Sequence, residues 1–166
     1  MPGAGKTILG KRLSEELNLP VYQIGKYRAR FPLSDIGEAD AWVTLFRDLS
    51  KRKWRNCILE TTGLNSRESF LGIALPPQRI VTIKLEEPRN VLYERIKKKK
   101  KIEHRGGEWL FSRDYQSKFE FVRKLFREFK RIPAEIKINT GKLGPHEVYK
   151  TALEKLGVFV LIRDKR

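Results

Sequence analysis

Met1-Pro2-Gly3-Ala4-Gly5-Lys6-Thr7 opens the chain, and its reading decides the fold. It is the body of the pattern G-x-x-x-x-G-K-[ST], lacking only the pattern's first glycine. Small residues let the backbone N–H groups from Gly3 to Thr7 point into one concavity, and a helix that begins there adds the positive end of its dipole. Polyphosphate suits such a cup. Pro2, Gly3, Ala4, Gly5, Lys6, Thr7 and Ile8 would surround it, with Lys6 reaching the β- and γ-phosphates and the Thr7 hydroxyl ligating Mg²⁺. The plain alternative is a Gly-rich turn capping a helix. It is the weaker reading, because every position present matches and a helical pattern follows at once.

Within that pattern, Ile8, Leu9, Leu13 and Leu17 recur at three-to-four spacing, which predicts a helix over Thr7–Leu17, ended by Asn18 and Pro20. A strand leading into such a loop is central in a parallel sheet, so an architecture without it loses core and leaves two neighbours unpaired. The expectation is a start codon placed too late or a cut gene. The full product would then carry a glycine and an apolar strand of about 5–6 residues ahead of Met1.

A length of 166 residues suits one domain. With 34% charged residues and no run long enough to cross a bilayer, the chain reads as soluble, with no membrane partner. Cys57 is the single cysteine, which excludes an intrachain disulfide. With only His104 and His146 beside it, a Cys/His metal cage is not expected, and a cytoplasmic location fits. Net charge is +16, and the segment Arg95 to Arg131, with 14 basic and 5 acidic residues, supplies +9 of it. Such a cluster can grip nucleotide phosphates or track a nucleic-acid backbone. For Lys97 to Lys101 alone, a solvated helix face is the simpler reading.

Apolar runs and helical periods alternate along the rest of the chain. Val21, Tyr22 and Ile24 predict a strand, and Gly25 to Pro32 a basic loop or short helix. A helix capped by Ser34 or Asp35 follows, with Ala39, Trp42, Val43, Leu45, Phe46 and Leu49 as its apolar positions. Cys57-Ile58-Leu59 is a short buried strand running into the polar turn Glu60-Thr61-Thr62-Gly63. Ser66 to Ile73 reads as a helix, Ile80 to Leu85 as a strand, and Pro88 as the start of a helix running through Val91, Leu92 and Ile96. Ile102 to Arg113 is the candidate mobile loop, and Asp114 caps a helix carrying Tyr115, Phe119, Val122, Phe126 and Phe129 as packing surface. Glu135 to Asn139 is a strand, Thr140 to Lys142 a turn, Pro145 to Leu156 a helix, and Val158 to Ile162 a final edge strand.

This alternation implies a doubly wound parallel sheet. Ligands sit at the carboxyl ends of strands in such sheets, so Lys6 and Thr7, Gly25 to Arg30, Glu60 to Asn65, and Thr140 to Lys142 are expected to converge.

The order of parts resembles the small P-loop kinases: adenylate kinase, shikimate kinase, gluconate kinase and kinase-like ATP-binding proteins loosely grouped with the AAA family. Four elements carry the resemblance. Gly3 to Thr7 matches the nucleotide loop, and Gly25-Lys26-Tyr27-Arg28 stands where these kinases begin the acceptor region. Glu60-Thr61-Thr62-Gly63-Leu64 stands at their acceptor or metal turn, and Arg95 to Arg113 takes the place of their arginine-bearing lid. The resemblance implies an α/β P-loop NTPase fold of nucleoside-monophosphate or shikimate kinase type. Its sheet is doubly wound and parallel, helices cover both faces, and the first strand is missing. Residues 1–166 form one domain, with an acceptor-binding region near 25–50 and a lid near 95–113. ATP and Mg²⁺ are the implied cofactors, and a nucleoside triphosphate with a small-molecule acceptor the implied partners. Lys6, Glu60, Arg95, Arg105 and Arg113 would be catalytic, Arg28, Arg30, Thr62 and Gly63 would bind the acceptor, and Thr7 would bind the metal.

The departures are informative. Many of these kinases place an acidic residue just after the second strand to orient or deprotonate the acceptor hydroxyl, where this chain has Gln23 and Lys26. Asp35, Glu38 and Asp40 come later, and Asp35 reads equally well as a helix cap. Glu60 either holds the Mg²⁺ hydration shell or the acceptor, or is a strand-end carboxylate in solvent or paired with Lys6. Arg28, Arg30, Arg95, Arg105 and Arg113 each have a surface reading beside the functional one. The chain lacks the length, and on this reading the acidic pair after an apolar strand, of a ring-forming AAA+ motor. Three functions follow in order. The first is an ATP-dependent kinase acting on a nucleotide or other small metabolite. The second is a polynucleotide 5′-hydroxyl kinase or RNA-associated ATPase, and the third a non-catalytic nucleotide-binding protein.

Overall fold

Gly5 has a φ of 84°, a conformation that costs glycine nothing, and the first helix, α1 (Lys6–Leu17), starts from it. Leu9, Gly10 and Leu13 form its buried face. Asn18 ends it in the left-handed region at φ 50°, returning its N–H to the Ser14 carbonyl. The chain then runs through β1 (Val21–Gln23), α2 (Ile24–Arg28), α3 (Asp35–Lys51), β2 (Ile58–Glu60), β3 (Ile83–Glu86), α4 (Arg89–Lys98), β4 (Ile136–Asn139) and α5 (Pro145–Arg163). This computed structural model describes residues 3–32, 34–53, 55–61, 80–98, 123, 126–127 and 129–163. The expected helix at Ser66–Ile73, the loop at Ile102–Arg113, the Asp114 cap and the aromatic positions 115, 119 and 122 lie outside them.

Among the described residues the strand pairing is parallel, as the alternation of elements implies. Val21, Tyr22 and Gln23 of β1 stand opposite Ile58, Leu59 and Glu60 of β2, and Ile83 to Glu86 of β3 stand opposite Ile136 to Asn139 of β4. The pairs form two two-stranded sheets, and among the described residues no ladder joins β2 to β3. These short pairs do not by themselves make one doubly wound sheet. The structure shows an α/β arrangement of short parallel pairs covered by helices.

Two apolar clusters hold it. Leu9 and Leu13 of α1, Leu85, Leu92, Ile136, Ile138, Val148 and Ala152 form one, with Ile58 of β2 and Phe126 and Phe129 packed against it. Ile24, Tyr27, Ala41, Trp42, Leu45 and Leu49 form the other, which joins α2 to α3 under Leu59 and Tyr22. Trp42 and Leu45 are fully buried, whereas the expected apolar positions Ala39 and Val43 face solvent. Ser34, not Asp35, is the cap of α3: its hydroxyl accepts the Gly37 N–H at 3.0 Å. Gly37 itself leaves no room for a side chain, since a Cβ there would lie 1.9 Å from the Pro32 carbonyl oxygen.

Two local expectations change. Ile24 does not extend β1; it opens α2, with its side chain turned into the Trp42 cluster. The run Val158–Ile162 is helical and continues α5 to Arg163. An apolar run by itself does not discriminate strand from helix, and extending an existing helix costs far less than starting a ladder with no partner.

Tyr27 ties α2 to α3 through its hydroxyl, which donates to Asp48 Oδ2 at 3.1 Å. Burial, and then the bond to Asp48, push its pKa up to about 12 from an ordinary 10.0. Between those values the folded chain keeps a proton that the unfolded chain has lost. This contribution to stability is therefore complete below pH 10 and falls as pH climbs toward about 12. Tyr27→Phe should flatten that part of the stability–pH curve in denaturant titrations. An unaltered slope would show that another group governs it.

Candidate active site

Gly3 and Gly5 both have positive φ, at 82° and 84°, and Ala4 between them does not. This alternation of hand turns successive N–H groups toward one side, the arrangement that receives anions. No side chain caps α1 and no acidic residue lies in its first turn, so the positive end of the helix is left to whatever occupies the loop. Ala4 is buried at 2% exposure, Lys6 is half-buried, and Thr7 and Ile8 are exposed at the mouth. Pro2 lies outside the described residues.

Two polar networks end on this loop, one from each strand pair. At the carboxyl end of the first pair, Gln23 and Glu60 are register partners. Gln23 Nε2 donates to Glu60 Oε2 at 2.7 Å, and the Thr7 hydroxyl donates to Glu60 Oε1 at 2.7 Å. Glu60 thus lies against Thr7, and its carboxylate is fixed at both oxygens. With its proton directed at Glu60, the Thr7 hydroxyl keeps its lone pairs for a cation. One hydroxyl and one carboxylate form an oxygen donor set suited to Mg²⁺, which completes its shell with water and phosphate oxygens. Among the described residues no group of three or more His, Cys, Asp or Glu could hold a metal unaided.

At the carboxyl end of the second pair, Glu87 follows β3 and Thr140 follows β4. The Thr140 hydroxyl donates to Glu87 Oε2 at 2.7 Å, and Arg95 Nη1 donates to the same oxygen at 2.8 Å and to the Gly3 carbonyl at 3.0 Å. Arg95, expected in a lid, stands here at the foot of the phosphate loop. The Glu86-Glu87 pair is an acidic pair after an apolar strand, which the sequence reading overlooked. Its members are engaged separately, Glu86 by Lys84 at 3.2 Å and Glu87 by Arg95. The available signal was their place at the carboxyl end of Ile80–Leu85.

The acceptor-region arginines differ. Arg28 donates through Nε and Nη2 to Glu38, whose Oε1 also accepts the Trp42 indole N–H at 2.9 Å. Its fork is therefore spent on joining α2 to α3, and Glu38 is spent with it. Arg30 lies exposed, with its guanidinium 5.0 Å from the centre of the Tyr27 ring. Asp40 is exposed on α3. Thr62, Gly63, Arg105 and Arg113 lie outside the described residues. A separate basic cavity of about 300 Å³, lined by Lys51, Arg52, Lys53 and Arg55, sits before β2, at the opposite end of that strand from Glu60.

Comparison with known proteins bears on this geometry. The crystal structure of shikimate kinase from Aquifex aeolicus VF5 superposes with a TM-score of 0.62 at 26% identity, over 95% of this chain and 92% of that one. The fold is a P-loop α/β fold. The likeness also supports a kinase-like phosphotransferase at a coarse level. No protein-family model matches the chain, and no curated protein does. No helix among the described residues is long and apolar enough to cross a membrane.

Proposed function

We propose that this chain is an ATP-dependent phosphotransferase acting on a small anionic metabolite or nucleotide. The observation that carries the reading is the bond from Thr7 to Glu60. It makes the last residue of the loop motif a pre-oriented oxygen ligand at the carboxyl end of a parallel strand. In this reading the loop amides bind the β-phosphate and Lys6 balances charge on the β- and γ-oxygens, while Thr7, braced by Glu60, holds Mg²⁺. The metal ion, when bound, neutralises charge that develops on the transferred group. Positioning and electrostatics then account for most of the catalysis. Gln23, neutral where related kinases carry an acid, leaves Glu60 as the described carboxylate nearest the loop. Lys26 and Arg30, both exposed, are the cations that in this reading would meet an anionic acceptor. Arg28 serves that side indirectly, by fixing α2 on α3.

The reading includes lid roles for Arg105 and Arg113 and acceptor contacts from Thr62 and Gly63, on the strength of the resemblance alone.

The test is transfer of label from γ-labelled ATP to a panel of hydroxyl acceptors with Mg²⁺ present. The panel holds shikimate, the acceptor named for the structural neighbour, together with nucleoside monophosphates, other small hydroxy acids and a 5′-hydroxyl oligonucleotide. Magnesium-dependent labelling of a small anionic acceptor is expected. Labelling of the oligonucleotide alone would move the assignment to nucleic-acid ends. ATP binding with no labelled product would leave a nucleotide-binding protein without transfer.

A further inference from the structure

Glu87 has a side chain fully shielded from solvent, and a buried carboxylate is costly unless it is paired. Its Oε2 accepts from Thr140 and from Arg95 Nη1, and its Oε1 lies 2.7 Å from Arg95 Nη2. The same Arg95 Nη1 reaches the Gly3 carbonyl at 3.0 Å. One guanidinium nitrogen therefore bridges a buried anion and the first described peptide of the phosphate loop. That peptide is trans, so its carbonyl and its N–H point in opposite directions. Holding the Gly3 carbonyl toward Arg95 turns the Ala4 N–H to the other side. A carbonyl turned inward would instead set its oxygen against phosphate oxygens.

We propose that Glu87 and Arg95 are positioning residues for the phosphate loop. Glu87 fixes Arg95, and Arg95 fixes the Gly3–Ala4 peptide with its N–H available to a polyphosphate. The inference rests on the polyphosphate reading of the loop. It assigns Arg95 to the floor of the site and gives Glu87 and Thr140 a task. Because Glu87 neutralises Arg95, the pair contributes orientation to the site and little net charge.

That distinction makes the sign of one experiment informative. Simple electrostatics says that removing a carboxylate near an anion site tightens binding of the anion. The positioning role says that Glu87→Gln weakens it, since Arg95 is released from the loop carbonyl. Tripolyphosphate with Mg²⁺ would be titrated calorimetrically, at fixed ionic strength, into the unaltered chain and into Glu87→Gln, Arg95→Ala, Arg95→Lys and Lys6→Ala. Melting would be followed alongside. Glu87→Gln and Arg95→Ala should each weaken binding by roughly 10-fold, the loss expected for one orienting charged hydrogen bond, with Arg95→Lys intermediate. Arg95 is 42% exposed, so its alanine variant keeps the test open if Glu87→Gln does not fold. Unchanged or tighter binding in these variants, with Lys6→Ala still weakened, would overturn the positioning role alone. So would a lowered melting temperature with full affinity in the folded chain. If Lys6→Ala binds as well as the unaltered chain, or the unaltered chain binds no tripolyphosphate, the loop reading fails and takes this inference with it.

Discussion

Lys6→Ala should remove measurable MgATP binding and phosphoryl transfer while leaving the melting temperature within a degree or so of the parent. The lysine stands in the first turn of α1, half-buried, directly after the left-handed Gly5 and ahead of the exposed Thr7. Lys6 is a member of neither apolar cluster. Its proposed work lies outside the fold, on the β- and γ-oxygens of a bound triphosphate. The amides of the loop and the helix dipole supply partial charges, and Lys6 supplies a whole one where charge on the transferred group must be balanced. Deleting one preorganised charge-stabilising donor typically costs ~10²–10³-fold in rate, and a full cation at the transferred group should sit at or above the top of that range. Lys6→Met, which keeps most of the stem and loses the charge, should behave like Lys6→Ala. Equilibrium titration with a fluorescent ATP analogue reads binding, and label transfer reads chemistry. Parent-like affinity in both variants would remove the basis for an ATP-dependent enzyme.

Much of this site was legible in the sequence because its parts are local. Gly3 to Thr7 is contiguous, and the left-handed φ values at Gly3 and Gly5 are what small residues at those positions permit. Glu60 was readable as a strand-end carboxylate, since Cys57-Ile58-Leu59 marks the strand before it. Which partner it meets was not readable, because Thr7 and Gln23 approach it from positions 53 and 37 residues away in the chain. Long-range side-chain pairing depends on sheet register, and register is not written in any one segment. The same holds for Arg95. Its charge and position invited a lid role, and only the placement of Gly3 and Glu87 around it shows a different surrounding. Arg28 was misleading in the other direction. A basic residue at the start of an acceptor region looks available for a ligand until Glu38, 10 residues on, occupies its fork. Apolar pattern located β1 to β4 to within a few residues but gave Val158–Ile162 to a strand, because five apolar residues in a row have no period.

Glu60→Gln should raise the Mg²⁺ concentration needed for half-maximal transfer by ~10–100-fold, the usual cost of altering the partner behind a metal ligand. The substitution is nearly isosteric, and its effect on shape is predictable from the donors around it. Thr7 and Gln23 now both donate to the carboxylate. An amide at position 60 can accept from Thr7 through its oxygen and donate through its nitrogen to Gln23, once the Gln23 amide flips to present its own oxygen. The Thr7 hydroxyl therefore keeps its direction, and what the site loses is the negative charge. That separates electrostatics from positioning. Glu60→Ala, which removes both, should be the more severe change, and Thr7→Ser should be mild because it keeps the hydroxyl. Gln23→Ala should fall between, since it frees one carboxylate oxygen without altering the charge. Transfer assayed across a Mg²⁺ series at saturating ATP gives the half-maximal concentration for each variant. If Glu60→Gln shares the parent's Mg²⁺ dependence, Glu60 does not act through the ligand on Thr7, and the carboxylate's role would have to be sought at the acceptor.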